Sequence, residues 1–509
     1  MLKKGGFHKV AALRGAYSPD GPVTNLFWYI TPRAFDMLWY KLSLYQHYER
    51  TIVRLYQIST KPYKSVVWFG STPGASRHPR QRGIRLPFAH CRPPPPSQKL
   101  SYLGLKHASM KGIYFTFFML CITAVTLGQA RKKVNYDESK VPPYTLPDPL
   151  KTNSNAVVAN KTQWENIRRP EILTLFEDNV YGQLPKTYDS LRFETTHQNN
   201  DAMNGRARLK EVEITVFRNH QSVTIHLVLF VPKSSTHPSP VFLLINNRGK
   251  ENTDPTRRTK SEFWPAETVI DSGYAIAAFQ VSDLAPDNKD SFMLGVLRLY
   301  PEQLKADNGM RAIGAWAWGA SRIMDYFEKD NDIDEKKVII IGHSRGGKAS
   351  LWTSAQDQRF AMCVSNCSGN TGAALSRRKF GETIAMINTA FPHWFTSNYK
   401  KFNDNEDALP VDQHMLIALT APRPLYATNA TEDLWADPKG TFLSLKNAEK
   451  VYALYGVNAA LPASPPPTNH PLLKSQIGYH IREGEHDLTA FDWKNFITFA
   501  NLHLLQGDE

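Results

Sequence analysis

The chain reads as short apolar runs separated by longer polar or amphipathic stretches. Residues 211–217 (EVEITVF) and 223–231 (VTIHLVLFV) alternate apolar and polar positions, the period of a strand with one covered face. The runs at 241–246 (VFLLIN), 274–281 (YAIAAFQV), 338–342 (VIIIG), 361–366 (AMCVSN), 423–429 (RPLYATN) and 477–481 (IGYHI) are more continuously apolar, as strands buried on both faces are. Between them the period changes. Ile313, Trp316, Ala317, Ala320, Ile323, Met324 and Phe327 fall on one stripe of a helix over 312–329, and Trp493, Phe496, Ile497, Ala500 and Leu504 repeat that spacing. Strands interleaved with helices predict an α/β class: a mostly parallel central sheet covered on both faces, with antiparallel strands at its leading edge. Four polar stretches, 249–266, 283–310, 377–413 and the proline-rich 461–471, exceed ordinary connection lengths and are expected to form binding walls. A single domain over 131–509 with decorated loops accommodates the whole pattern.

Charge alters this picture only ahead of that domain. The formal net charge is +14, yet residues 1–109 hold 17 Lys/Arg against 3 Asp/Glu, which leaves the remainder balanced. That balance argues against a nucleic-acid-binding body. Residues 1–109, with "RHPRQRGIRLPFAHCRPPPPSQ" at 77–98, sustain neither period and read as a non-native or disordered basic extension. Met110 then opens a different pattern: Lys111, an apolar run over 113–127, and Gly128-Gln129-Ala130 ahead of Arg131. This is the order of a secretory signal over 110–130, so a secreted or periplasmic product is expected. As a helix the run rises about 22 Å, short of the roughly 30 Å hydrocarbon core, and no stable membrane span is expected.

The processed chain keeps Cys363 and Cys367. On one strand they stand about 13 Å apart, too far for a disulfide. Two thiols also fall short of the four ligands of a structural zinc site.

The chemistry concentrates in "VIIIGHSRGGKASLW" at 338–352. Gly342-His343-Ser344-Arg345-Gly346 fits G-x-S-x-G between a hydrophobic strand and a helix, the setting in which a tight turn lifts a serine hydroxyl above a sheet. Such a hydroxyl needs a base, and the base an acid, in the chain order Ser, acid, His. His486, in a loop between the last strand and the last helix, is the candidate base; His480 lies inside the strand and reads as a support, and His470 sits in the proline-rich loop. Among Glu432, Asp433 and Asp437, Asp433 is the candidate acid, while Asp437 ahead of Pro438 reads as a helix N-cap. Arg345 follows the nucleophile, so its backbone N–H can serve an oxyanion hole. A cation is disfavoured at a helix N-terminus, which marks its side chain as a functional charge.

Together "GHSRGGKASLW" (342–352), "SGNTGAALSRRKFGETIAMINTAFPHWF" (368–395), "NDNEDALPVDQHMLIALTAPRPLY" (403–426), "TEDLWADPKG" (431–440) and "GYHIREGEHDLTAFDW" (478–493) resemble the glucuronoyl esterases of carbohydrate esterase family 15, above all the bacterial ones, over about residues 135–505. The resemblance implies an α/β-hydrolase that cleaves esters of glucuronic or 4-O-methylglucuronic acid, as in lignin–glucuronoxylan linkages. It implies Ser344 as nucleophile, His486 as base, Arg345 as oxyanion donor, and Lys348, Glu382 and Trp435 as sugar contacts. Many members place a catalytic glutamate where this chain has Cys367, and the family's alternative place matches Asp433. No metal or cofactor is expected to be required, and a monomer is expected. The rivals are an acetyl xylan esterase, whose acyl group is too small to use the three sugar contacts, and a non-catalytic carbohydrate-binding or adhesion module on the same fold.

Overall fold

The computed structural model describes residues 134–505; the basic extension and the signal segment at 110–130 lie outside them. A nine-stranded sheet runs β1 (Ser190–Asp201), β2 (Ala207–Arg218), β3 (Gln221–Pro232), β4 (Ser239–Asn246), β5 (Ala275–Gln280), β6 (Ile333–His343), β7 (Met362–Asn366), β8 (Leu425–Ala430) and β9 (Ile477–Arg482). Its spatial order is β1-β2-β3-β5-β4-β6-β7-β8-β9. The pairs from β1 to β5 are antiparallel, and those from β5 through β4 to β9 are parallel. This is the α/β architecture that the hydrophobic pattern predicts.

Two apolar layers explain the continuous runs. Leu243, Ile245 and Ile340 face one core, packed under α2 (Ala312–Phe327), α3 (Arg345–Gln356) and α4 (Pro438–Ala453). Their neighbours Phe242, Leu244, Ile339 and Ile341 face the other, under α1 (Ala266–Asp271) and α5 (Ala490–Leu504). Successive strand side chains point to opposite faces, so a strand covered on both sides has no polar position to spare. Each such buried side chain contributes about 1.5–3 kcal/mol relative to exposure.

Two features depart from the sequence reading. The edge strand β1 was not anticipated: only Leu191 and Phe193 supply apolar alternation, and the rest of the strand is polar and exposed. It is held by its ladder to β2, and polar residues suit an edge that must not recruit another chain. Helix α2, predicted from one stripe, is also buried at Gly314, Ala315 and Trp318. The 283–310 insertion closes over it, and Trp316 Nε1 donates to the Ala285 carbonyl at 2.9 Å. Among the described residues no helix is long and apolar enough to cross a membrane.

Candidate active site

In chain order β4 is followed by β5 on one side and, after a crossover, by β6 on the other. That reversal marks the carboxyl ends of β4 and β6 as the place where ligands settle on such sheets. Ser344 follows β6, Asn247 follows β4, Cys367 follows β7, Asp433 lies three residues past β8, and His486 four past β9. Five strand ends thus deliver the candidate chemistry to one rim.

At the elbow Ser344 adopts φ 56° and ψ −123°, a left-handed conformation that costs a non-glycine residue energy unless its surroundings enforce it. Its N–H donates to the Asn366 carbonyl at 2.8 Å, and its carbonyl accepts the Gly347 N–H at 2.9 Å. A Cβ at Gly342 would overlap the Gly346 carbonyl, and one at Gly346 would stand 3.1 Å from both the Ile245 carbonyl and Asn247 Oδ1. The motif's glycines are therefore required by the closeness of the turn to its own backbone and to β4.

His486 Nδ1 and Asp433 Oδ2 are 2.5 Å apart, the Asp433 side chain being buried and the imidazole partly open to solvent. The His486 ring centroid lies 4.6 Å from that of His343, the residue before the serine. His343 is itself buried, with Nδ1 2.5 Å from Asn366 Oδ1. Burial, with His486, Arg248 and Arg345 close by to disfavour a second positive charge, holds its pKa well below the usual histidine value, so it is a neutral spacer. Asp437 caps α4, accepting from the Gly440 N–H at 2.8 Å and from Arg378 Nε at 2.8 Å, as the sequence placed it. His480 lies within β9, with Nε2 2.8 Å from Asp492 and Nδ1 3.0 Å from the Tyr426 hydroxyl.

The loop that carries His486 is fastened from below. The Arg482 guanidinium donates to the carbonyls of Glu483, Glu485 and Asp487 at 3.1, 2.9 and 2.7 Å, and its Nε to Asp492 at 2.9 Å. These are contacts that sequence reasoning missed. The arginine immediately before an acidic, glycine-containing loop was the available signal.

Cys367 is buried with φ 47°, and Cys363 is buried and free as well. The ligating atoms of Cys367, Asp433 and His486 lie within 4.8 Å of one another, a grouping that has the composition of a metal site. Burial, reinforced by the Asp433 charge, pushes the Cys367 thiol well above its ordinary pKa. A protonated thiol is a poor ligand.

Arg345 is not an isolated charge. Its Nε lies 2.5 Å from Asp287 Oδ2, its Nη2 donates to the Asn247 carbonyl at 3.2 Å, and its guanidinium stands 5.9 Å from the Trp394 ring centroid. Lys348 and Glu382 do meet, at 3.1 Å, with both side chains largely buried. Lys348 Nζ also donates to the carbonyls of Ser368 and Asn370 at 2.7 and 2.5 Å, so three acceptors take its three protons. Burial lowers the Lys348 pKa, and the adjacent Glu382 carboxylate opposes that shift without cancelling it. Trp435, by contrast, is 40% exposed, and its carbonyl accepts the Glu382 N–H at 3.0 Å. Of the three implied sugar contacts, Trp435 presents a free surface and Glu382 a buried carboxylate. Lys348 orients Glu382.

Comparison with known proteins identifies the family. The family model described as glucuronyl esterase of fungi matches residues 214–456. A carbohydrate esterase of an unknown prokaryotic organism is 43% identical over 404 residues, covering 74% of this chain and 93% of that protein. The 4-O-methyl-glucuronoyl methylesterase of Schizophyllum commune is 28% identical over 351 residues, 66% of this chain and 77% of that one. The solved glucuronoyl esterase of Solibacter usitatus superposes with a TM-score of 0.68 at 38% identity, covering 72% of this chain and all of that one. The chain belongs to carbohydrate esterase family 15, the glucuronoyl esterases, and is a carboxylic ester hydrolase with the α/β-hydrolase fold.

Proposed function

We propose that this enzyme hydrolyses esters of glucuronic or 4-O-methylglucuronic acid on glucuronoxylan, the alcohol being part of lignin, through a Ser344–His486–Asp433 triad. The observation that carries the proposal is the 2.5 Å contact between His486 Nδ1 and buried Asp433, beside a serine held in a left-handed turn. The Asp433 carboxylate fixes the proton on Nδ1, which leaves Nε2 as the base. Ser344 Oγ then attacks the uronate carbonyl carbon while Nε2 takes its proton. The developing oxyanion lies near the Arg345 N–H, one of the helix N-terminal donors without an intrahelical acceptor, and near its guanidinium. Collapse expels the alcohol, which takes the proton from the imidazolium. Water, activated in the same way, cleaves the acyl-enzyme and releases the uronate and restores the serine. Trp435 and Glu382 recognise the sugar, the indole by its face and the carboxylate by accepting from hydroxyls.

The test is hydrolysis of benzyl glucuronate beside an acetylated xylo-oligosaccharide. The proposal expects strong preference for the glucuronate ester; a preference for acetyl would favour the acetyl xylan esterase reading. A non-catalytic module would hydrolyse neither. Export through residues 110–130 belongs to the same proposal: the secreted protein should begin at Arg131, which N-terminal sequencing of culture supernatant reads directly.

A further inference from the structure

Hydrolysis converts an uncharged ester into a carboxylate beside Arg345, and an unpaired guanidinium there would hold the product. The structure places a carboxylate against that guanidinium before any substrate arrives. Asp287 comes from the 283–310 insertion, and its Oδ2 is 2.5 Å from Arg345 Nε. Its other oxygen, Oδ1, accepts from Trp394 Nε1 at 2.6 Å and lies 3.0 Å from His393 Nε2, both in the 377–413 insertion. Phe391 stacks on Trp394 with centroids 3.8 Å apart, so the indole that positions Asp287 is itself held flat. Burial would raise the Asp287 pKa, but His393, Arg345 and Trp394 outweigh it and keep the group ionised. Two long insertions thus meet at one carboxylate, and that carboxylate touches the charge beside the nucleophile.

We propose that Asp287 is a positioning and charge-neutralising residue whose role is product release: it fixes the Arg345 guanidinium while cancelling its pull on the uronate formed by the reaction. The inference rests on the uronate-ester reading above. Arg345 Nε faces Asp287 and Nη2 the Asn247 carbonyl, which leaves the Arg345 backbone N–H for the oxyanion, while the ion pair lowers the net charge that a departing carboxylate must leave. In a partly buried site a single unit charge is worth about tenfold or more in affinity for an anion.

The experiment compares the uronate product with its uncharged amide. Inhibition constants for glucuronate and glucuronamide are measured during hydrolysis of benzyl glucuronate by the wild-type enzyme and by Asp287→Asn. In the wild type the two constants should agree within about threefold, because the local charge is cancelled. In D287N glucuronate should bind at least about tenfold tighter and progress curves should bend early, with glucuronamide inhibition and KM for the ester changed far less; added salt should weaken the new affinity. Equal changes for acid and amide would mean that Asp287 only holds the loops in shape, and no change in either would remove its role. If D287N does not fold, the wild-type pair alone decides: glucuronate bound tenfold or more tightly than glucuronamide would overturn the proposal. Failure to hydrolyse glucuronate esters at all would count against the substrate reading instead.

Discussion

Replacing Asp433 by Asn keeps the size of the side chain and removes one charge. In the native site the carboxylate oxygen lies 2.5 Å from His486 Nδ1, and the Asp433 side chain is only 4% exposed. When His486 takes the serine proton, a full positive charge appears on the ring. At a centre-to-centre separation of about 4 Å and an effective dielectric of about 20, an ion pair is worth on the order of 4 kcal/mol. At 1.36 kcal/mol per decade this is roughly a thousandfold in rate. The Asn amide can also turn its NH2 toward Nδ1 and favour the tautomer that cannot accept from serine, which extends the loss toward about 10⁴-fold. Steady-state hydrolysis of benzyl glucuronate should therefore show kcat down by about 10³–10⁴-fold with KM within about threefold, because the carboxylate acts on the transition state rather than on ground-state binding. Circular dichroism should show a folded protein. A D433N enzyme within tenfold of wild-type kcat would refute the assignment, since the Cys367 thiol cannot substitute as the orienting anion.

Other expectations follow from the same contacts. Gly342→Ala, which pushes a methyl into the Gly346 carbonyl, should lower both activity and stability, the latter by about 2 kcal/mol or more in urea denaturation. Glu382→Gln leaves the Lys348 ammonium buried without its counter-ion and should cost about 3–5 kcal/mol in the same assay, with KM for the ester also raised. Glu267, which burial would raise but which Arg257 draws down to about 2, stabilises the fold when ionised. Its contribution is present above its unfolded pKa and is lost as pH falls through the folded one. Wild type should therefore exceed Glu267→Gln in Tm above about pH 4.5, with the gap closing toward pH 2. Cys363 and Cys367, both buried with raised thiol pKa, should resist a thiol reagent in the native protein and react on unfolding.

How much was legible in the sequence depended on whether a signal was local. The elbow is local: a strand, two glycines and a serine specify their own geometry. The capping role of Asp437 was also readable, because Pro438 marks the following helix start, and it is Asp433 that stands 2.5 Å from His486 Nδ1. Strand β1 was not, since its polar sequence becomes a strand only by pairing with β2. Lys348 illustrates another limit: spacing puts it one turn beyond Ser344, but nothing in the spacing reveals that the carbonyls of Ser368 and Asn370 claim its protons. Asp287 was hidden most completely. It lies 58 residues before Arg345 in a loop of ordinary composition, and its importance comes from packing against a second insertion.

The most direct measurement is active-site labelling by a fluorophosphonate, followed by mass spectrometry of the peptide containing residue 344. The account predicts stoichiometric modification of Ser344 in the wild type, a loss of labelling rate of several orders of magnitude in His486→Ala, and no esterase turnover by Ser344→Ala. Turnover by the S344A enzyme, or a label on any other residue, would contradict it.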